Sequence, residues 1–265
     1  MKKLLTCVII LIAIGMNAFA GHKSSKELRG DKYFFVYSFD KAIESYTNAR
    51  ELSVEGQRRL AESYHHLDSN MQAESAYAKL VNTAGGNLPD DYFKYAMILK
   101  ENGKYEQSCI WMDKLLVLKP ADLRAMDYAA HKADLPIMTK DDGKYKVETL
   151  KVNTAADDFG VSYYKDKVVF ASSGVDPGPN EKRYNWNGKP FLNLYVSDLE
   201  GYQLKTAVIL DKSLNGKMHD GPASFSKDGT FMAFTRNSTL VKRRDRVINL
   251  EICFSTLKDG EWSKP

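Results

Sequence analysis

The hydrophobic period of this chain changes once, and that change constrains the fold more than any other feature. From Ser24 to about Asp134 apolar residues recur at three- and four-residue spacing, with breaks at Ser38, at Asp68-Ser69-Asn70, at Gly85-Gly86 and at Asn102-Gly103. After Leu135-Pro136 the chain alternates apolar with polar residues. A period near 3.6 buries one stripe of a helix and a period of 2 buries one face of a strand. The first stretch therefore predicts helices in pairs and the second an all-β region, with Asp141-Asp142-Gly143 as the turn between them.

Within the helical stretch a small residue is followed twelve positions later by another, three times: Gly30 with Ala42, Ala61 with Ala73, and Ala96 with Ser108. The first small residue lets two antiparallel helices approach closely, and the second lets the next pair pack on them. Tyr33, Tyr64 and Leu99 follow the first small residue by three, while Tyr46, Tyr77 and Met112 follow the second by four. The units are 31 and then 35 residues long, bracketing the tetratricopeptide period of 34. The third unit, with Tyr92, Ala96, Leu99, Gly103, Tyr105, Ser108 and Pro120, most resembles that family. The first lacks its leading Trp, and no unit carries the full consensus. A further helix over Ala121 to Lys132 is expected to cap the array.

The second stretch predicts strands at Tyr145 to Val152, Gly160 to Tyr164, Lys167 to Ser172, Phe191 to Ser197, Gln203 to Leu210, Ala223 to Ser226, Thr230 to Thr235 and Val247 to Ser255, with a stub at Glu261. Two pieces of it match one another. Ser162-Tyr163-Tyr164-Lys165-Asp166-Lys167 with Val168-Val169-Phe170 aligns with Ser224-Phe225-Ser226-Lys227-Asp228-Gly229 with Phe231-Met232-Ala233-Phe234. The 64 residues between Phe170 and Phe234 exceed the 40 to 50 of a usual propeller blade, and the loop Ser173 to Pro190 accounts for the excess. The stretch from His219-Asp220-Gly221-Pro222 to Gly229 resembles the PD40 or TolB-like propeller repeat, an aromatic and a Ser-x-Asp-Gly turn before an apolar strand ending in Phe. Two blades cannot close a ring that takes four to eight, so the expectation is an incomplete propeller in a chain continuing past Pro265.

At the N-terminus Lys2 and Lys3 precede an apolar run from Leu4 to Ile14 and the small-residue motif Ala18-Phe19-Ala20. That pattern is a secretory signal peptide, with cleavage expected before Gly21; the run is about half the roughly 20 residues of a membrane span. Removing Lys2 and Lys3 lowers the formal charge from +4 to +2, and the one basic run, Lys242-Arg243-Arg244 with Arg246, is interrupted by Asp245. A nucleic-acid partner is not expected from that balance. Neither is a transmembrane span in the mature chain. Cys109 and Cys253 sit in different predicted regions and are not expected to pair.

Signal peptide, tetratricopeptide-type repeats and PD40-type blades together resemble the OmpA-family envelope proteins of Bacteroidetes, some of them associated with type IX secretion and gliding. The resemblance implies a multidomain α-then-β chain: residues 1–20 a signal peptide, residues 21–135 a tetratricopeptide-like α-solenoid, residues 136–265 the first blades of a β-propeller. It also implies a periplasmic, outer-membrane-associated location, with partners among envelope or secretion-complex proteins. Peptidoglycan would be reached only through a C-terminal OmpA-like domain absent from these residues.

No nucleophile motif stands out: there is no GxSxG or SxxK. His22, His65, His66, His131 and His219 fall outside metal-ligand spacing. No catalytic residue, cofactor site or metal site is expected. Asp176-Pro177-Gly178-Pro179-Asn180 reads as a turn rather than a calcium loop. What remains is surface: by the tetratricopeptide offsets Arg58, Glu62 and His65, with Phe93, Met97 and Lys100, should face the concave side of the array as a partner-binding groove. The expected function is a non-enzymatic scaffold docking partner proteins. Two rivals stay open: a propeller module of an exported hydrolase or peptidase whose catalytic domain lies beyond Pro265, and a TolB-like accessory of an envelope complex.

Overall fold

The computed structural model describes residues 23–174, 182–238 and 248–265. The segment read as a signal peptide, the stretch Asp176–Asn180 read as a turn and the basic run at 242–246 lie outside them. The chain divides into two compact units, Met1–Asp141 and Asp142–Pro265.

The first unit is helical: α1 Ser25–Phe35, α2 Phe39–Thr47, α3 Val54–His66, α4 Asn70–Val81, α5 Pro89–Glu101, α6 Tyr105–Leu118, α7 Leu123–His131, a 3-10 turn Lys132–Asp134, and α8 Leu135–Met138. Helices α1 with α2, α3 with α4 and α5 with α6 form hairpins joined by three-residue turns, and each hairpin packs on the next. This is a tetratricopeptide-like array. Ser24 and Ser53 start α1 and α3 by accepting the backbone N–H of Glu27 and Gly56, both at 3.1 Å. At α5 the Asp91 carboxylate instead takes the Leu88 N–H, at 3.2 Å.

The small residues do the work their spacing implies. Ala42, Ala61, Ala73 and Ala96 are fully buried, and a Cβ added to Gly30 would stand 2.5 Å from the Tyr46 ring. Tyr77, Leu80, Ile98 and Leu99 fill the middle of the array beside Ala61 and Ala73. Truncating a ring buried like Tyr77 to Ala costs about 3–5 kcal/mol. The last hairpin packs Ala96, Met112 and Leu115 on Ala125 of α7. That is the cap expected from Ala121 to Lys132, begun two residues later, where the Asp122 side chain takes the Arg124 N–H at 3.1 Å.

Each hairpin turn contains one residue with a left-handed backbone: Tyr37 (φ 56°), Asp68 (φ 52°) and Gly103 (φ 73°). All three lie seven positions after Gly30, Ala61 and Ala96, so one turn geometry recurs with three different residues. Gly adopts it without strain, whereas Tyr does so at a cost.

The second unit is two curled antiparallel sheets, half-barrel-like. Strands β1 Asp158–Tyr164, β2 Lys167–Ser172 and β3 Asn193–Glu200 form a meander, with the short β4 Gln203–Leu204 and β5 Val208–Ile209 both on β3. Strands β6 Asp220–Phe225, β7 Phe231–Asn237, β8 Leu250–Lys258 and β9 Glu261–Trp262 form the second. The first strands of the two sheets are neighbours: the Ser162 hydroxyl donates to the Ala223 carbonyl. Tyr164, Val169, Leu194, Ala223, Met232, Phe234 and Trp262 make a shared core. Both first strands are bulged near their starts, between Phe159 and Ser162 and between Asp220 and Ala223. The described strands do not close a ring.

Two expectations need correction. Tyr145 to Val152 is not a strand: Tyr145 and Val147 are almost wholly exposed and none of the described strands pairs with them. Gln203 to Leu210 is broken into β4 and β5 by residues 205–207. The matched turns also differ in build. The first passes from β1 to β2 through Lys165 (φ 56°) and Asp166. The second takes five residues, with Asp228 accepting from the Ser226 hydroxyl at 2.6 Å and the Thr230 N–H at 3.0 Å. Those bonds, the Ser226 one first, hold the Asp228 carboxyl down at about 2.

Candidate interaction site on the helical array

The six residues read as a groove lie on α3 and α5, and the structure engages most of them with neighbouring side chains rather than leaving them free. Arg58 is bidentate to Asp91, Nε to Oδ1 at 2.7 Å and Nη2 to Oδ2 at 2.8 Å. Asp91 is buried, and its hydrogen bonds push the Arg58 guanidinium well above its ordinary range. Glu62 accepts from the Lys94 ammonium, which also lies 2.9 Å from Asp90. Burial works against the charge on Lys94, but the bonds to Glu62 and Asp90 outweigh it and raise its pKa. His65 Nε2 is 3.5 Å from Glu101 Oε1. Lys100 is exposed.

Phe93 and Met97 are half-buried against the Ala96, Met112, Leu115 and Ala125 cluster. The Arg124 guanidinium of α7 covers the Phe93 ring at 4.2 Å and reaches Asp90 at 2.8 Å. The apolar pair is thus partly roofed by the capping helix, a contact that helical offsets within α5 could not reveal.

A further pattern links the first helices of the hairpins. Asp31, one position after Gly30, meets Arg59, two positions before Ala61, at 2.7 Å. One repeat later Glu62, one position after Ala61, meets Lys94, two positions before Ala96. The acid and base recur at the same register. In the third unit Met97 occupies the acid's position, so the ladder ends where the apolar pair begins. Asp31 also accepts the Tyr46 hydroxyl at 2.8 Å and pairs with Lys23 at 2.7 Å. Burial alone would raise the Asp31 pKa; its bonds to Lys23, Arg59 and Tyr46 lower it instead.

Among the described residues no cluster of His, Cys, Asp and Glu has the geometry of a metal site, and no helix is long and apolar enough to cross a membrane. Cys109 in α6 and Cys253 in β8 are free thiols. No protein-family model and no curated protein matches the chain. A solved structure similar to it is the first tetratricopeptide domain of Spaghetti (RPAP3) bound to the HSP90 peptide SRMEEVD, at 21% identity over 45% of this chain and 100% of that one, with a TM-score of 0.37.

Proposed function

We propose that this chain is a scaffold of the bacterial cell envelope that works by binding alone, its helical array docking partner polypeptides. The observation that carries the reading is the register-fixed ladder Asp31–Arg59 and Glu62–Lys94, which clamps the first helices of successive hairpins together. Stacked repeats held this way present one extended surface in a fixed conformation, so a partner meets it without an ordering cost on this side. Phe93, Met97 and Lys100 lie where the ladder stops, and there the face offers apolar contact beside an exposed cation.

The envelope location is supported by the signal-peptide pattern from Lys2 to Ala20. In this reading the resemblance to OmpA-family proteins assigns the peptidoglycan link to a further domain and lateral contacts with envelope or secretion-complex proteins to these residues. A photo-crosslinking residue in place of Lys100 tests the docking face in cells. Discrete crosslinks to envelope proteins, lost on adding Phe93→Ala with Met97→Ala, are expected. No crosslinks, or crosslinks indifferent to that pair, would remove the array as docking site. Recovery of the protein with the cytoplasmic fraction would overturn the location.

A further inference from the structure

The two sheets of the second unit repeat a carboxylate at one register position but not its partner. In the second sheet Asp220 is fully buried and stands opposite Arg236 across the β6–β7 ladder. Arg236 Nε donates to Asp220 Oδ1 at 2.6 Å, and its terminal nitrogen donates to the Leu214 carbonyl. The guanidinium carbon lies 5.1 Å from the centre of the Phe234 ring. The second oxygen of Asp220 accepts the Gly216 N–H at 2.5 Å.

The first sheet copies this arrangement piece by piece. Asp158 stands opposite Ser172 across the β1–β2 ladder, the register at which Asp220 meets Arg236. Asp158 Oδ2 accepts the Thr154 N–H at 2.7 Å, four residues upstream, just as Asp220 takes Gly216 four residues upstream. Val152 stands six residues before Asp158, as Leu214 stands six before Asp220. Phe170 and Phe234 both lie two residues before the opposing position. The arginine is not repeated. With Ser172 in its place, Asp158 Oδ1 is buried and unpartnered, and a cavity of about 470 Å³ is lined by Val152, Asp158, Phe170, Ser172 and Tyr195. That volume falls in the roughly 300–1,000 Å³ range of small-ligand sites.

We propose that this cavity receives an arginine side chain from a partner polypeptide, completing in the first sheet the ion pair and ring contact that Arg236 makes within the second. A buried carboxylate oxygen without a partner is costly, and a planar guanidinium satisfies it while lying on an aromatic face. Gly174 fits the same design: a Cβ there would stand 2.2 Å from the Tyr195 hydroxyl, so only glycine lets that ring close the wall. Lys151 and Lys205 also line the cavity, Lys205 already 3.3 Å from Glu200. A cationic rim around an acidic floor favours an arginine followed by an acidic residue over an isolated cation. The inference concerns the second unit and stands or falls independently of the docking face on the helices.

The test titrates the chain with the capped peptide Gly-Ser-Arg-Glu-Ser-Gly, following the backbone amide resonances of Ser172 and Tyr195. Saturable shifts are expected, weakened about 10-fold or more, the equivalent of one charge-assisted bond, when citrulline replaces arginine or when Asp158→Asn is introduced. Ser172→Arg is the decisive variant, because it supplies the cation from within: it should raise the melting temperature and abolish binding. Equal binding of the arginine and citrulline peptides, no saturable shift, or a Ser172→Arg chain that is less stable or still binds, would each overturn the proposal.

Discussion

Arg59 reaches back from α3 to Asp31 of α1 at 2.7 Å, and one repeat further on Lys94 of α5 meets Glu62 of α3 at the same two register positions. The two rungs differ in environment. Asp31 and Arg59 are each about 15% exposed or less, whereas Lys94 is about a third exposed. Removing one member of a desolvated pair strands the other, at a cost of about 3–5 kcal/mol that shrinks towards about 0–1 kcal/mol as the pair gains solvent. Asp31→Ala should therefore destabilise the chain by about 3 kcal/mol and Lys94→Met by about 1 kcal/mol. Urea denaturation followed by far-UV circular dichroism checks the order; equal midpoints for the two variants would contradict it.

Acid should loosen the helical unit through identified carboxylates. Asp31, Asp90 and Glu74 all have lowered pKa values in the fold. In each, burial acts to raise the pKa and bonded cations prevail: Lys23 and Arg59 on Asp31, Arg124 and Lys94 on Asp90, Lys104 on Glu74. A carboxyl whose folded pKa lies below its unfolded value stabilises above the latter and loses that contribution as pH falls through the former. The helical signal should hold from neutral pH to the ordinary values of 3.8 and 4.5 and fall below them. Asp31→Asn should flatten part of that fall, measured as the denaturation midpoint at successive pH values.

His219 gives the second unit a pH dependence at higher pH. Its Nδ1 accepts the Leu192 N–H at 3.1 Å, and its ring is held edge-on by Tyr184 and Phe191. Burial lowers its pKa, with the nearby Asp157 carboxylate opposing. The folded state thus resists a proton that the unfolded chain accepts below about 6.5. Stability is full above that value and declines as pH falls from it towards the folded pKa. Protection of the Leu192 amide against hydrogen exchange, compared at pH 7 and pH 5.5, should drop at the lower pH, and His219→Gln should abolish the difference.

Tyr37 carries the backbone geometry that Gly103 adopts freely. Replacing it with glycine should stabilise the chain by about 1 kcal/mol, the left-handed penalty of a side chain less the greater unfolded-state entropy of glycine. Gly103→Ala should cost about as much. Thermal melts of the two variants should move in opposite directions.

The features that sequence alone determined are those written in local spacing. The 3.6-to-2 change of period placed the helices and most strands, because each element buries its own periodic face whatever its neighbours are. The small residues at 30, 42, 61, 73, 96 and 108 announced the close helix contacts for the same reason. Tyr145 to Val152 shows the limit: it alternates like a strand, yet a strand exists only with a partner to bond, and none of the described strands comes beside it. Of the proposed docking residues, sequence identified the elements but not the state of the side chains. Whether Arg58 is free or locked on Asp91, 33 residues away, depends on how one hairpin stacks on the next. The same holds for Asp158. Its match to Asp220 is visible in the repeat, but that Ser172 stands where Arg236 completes the pair is decided by cross-strand register. Register and stacking are set by the packed core as a whole, so the partner of a buried charge is chosen in three dimensions, after the elements themselves are fixed.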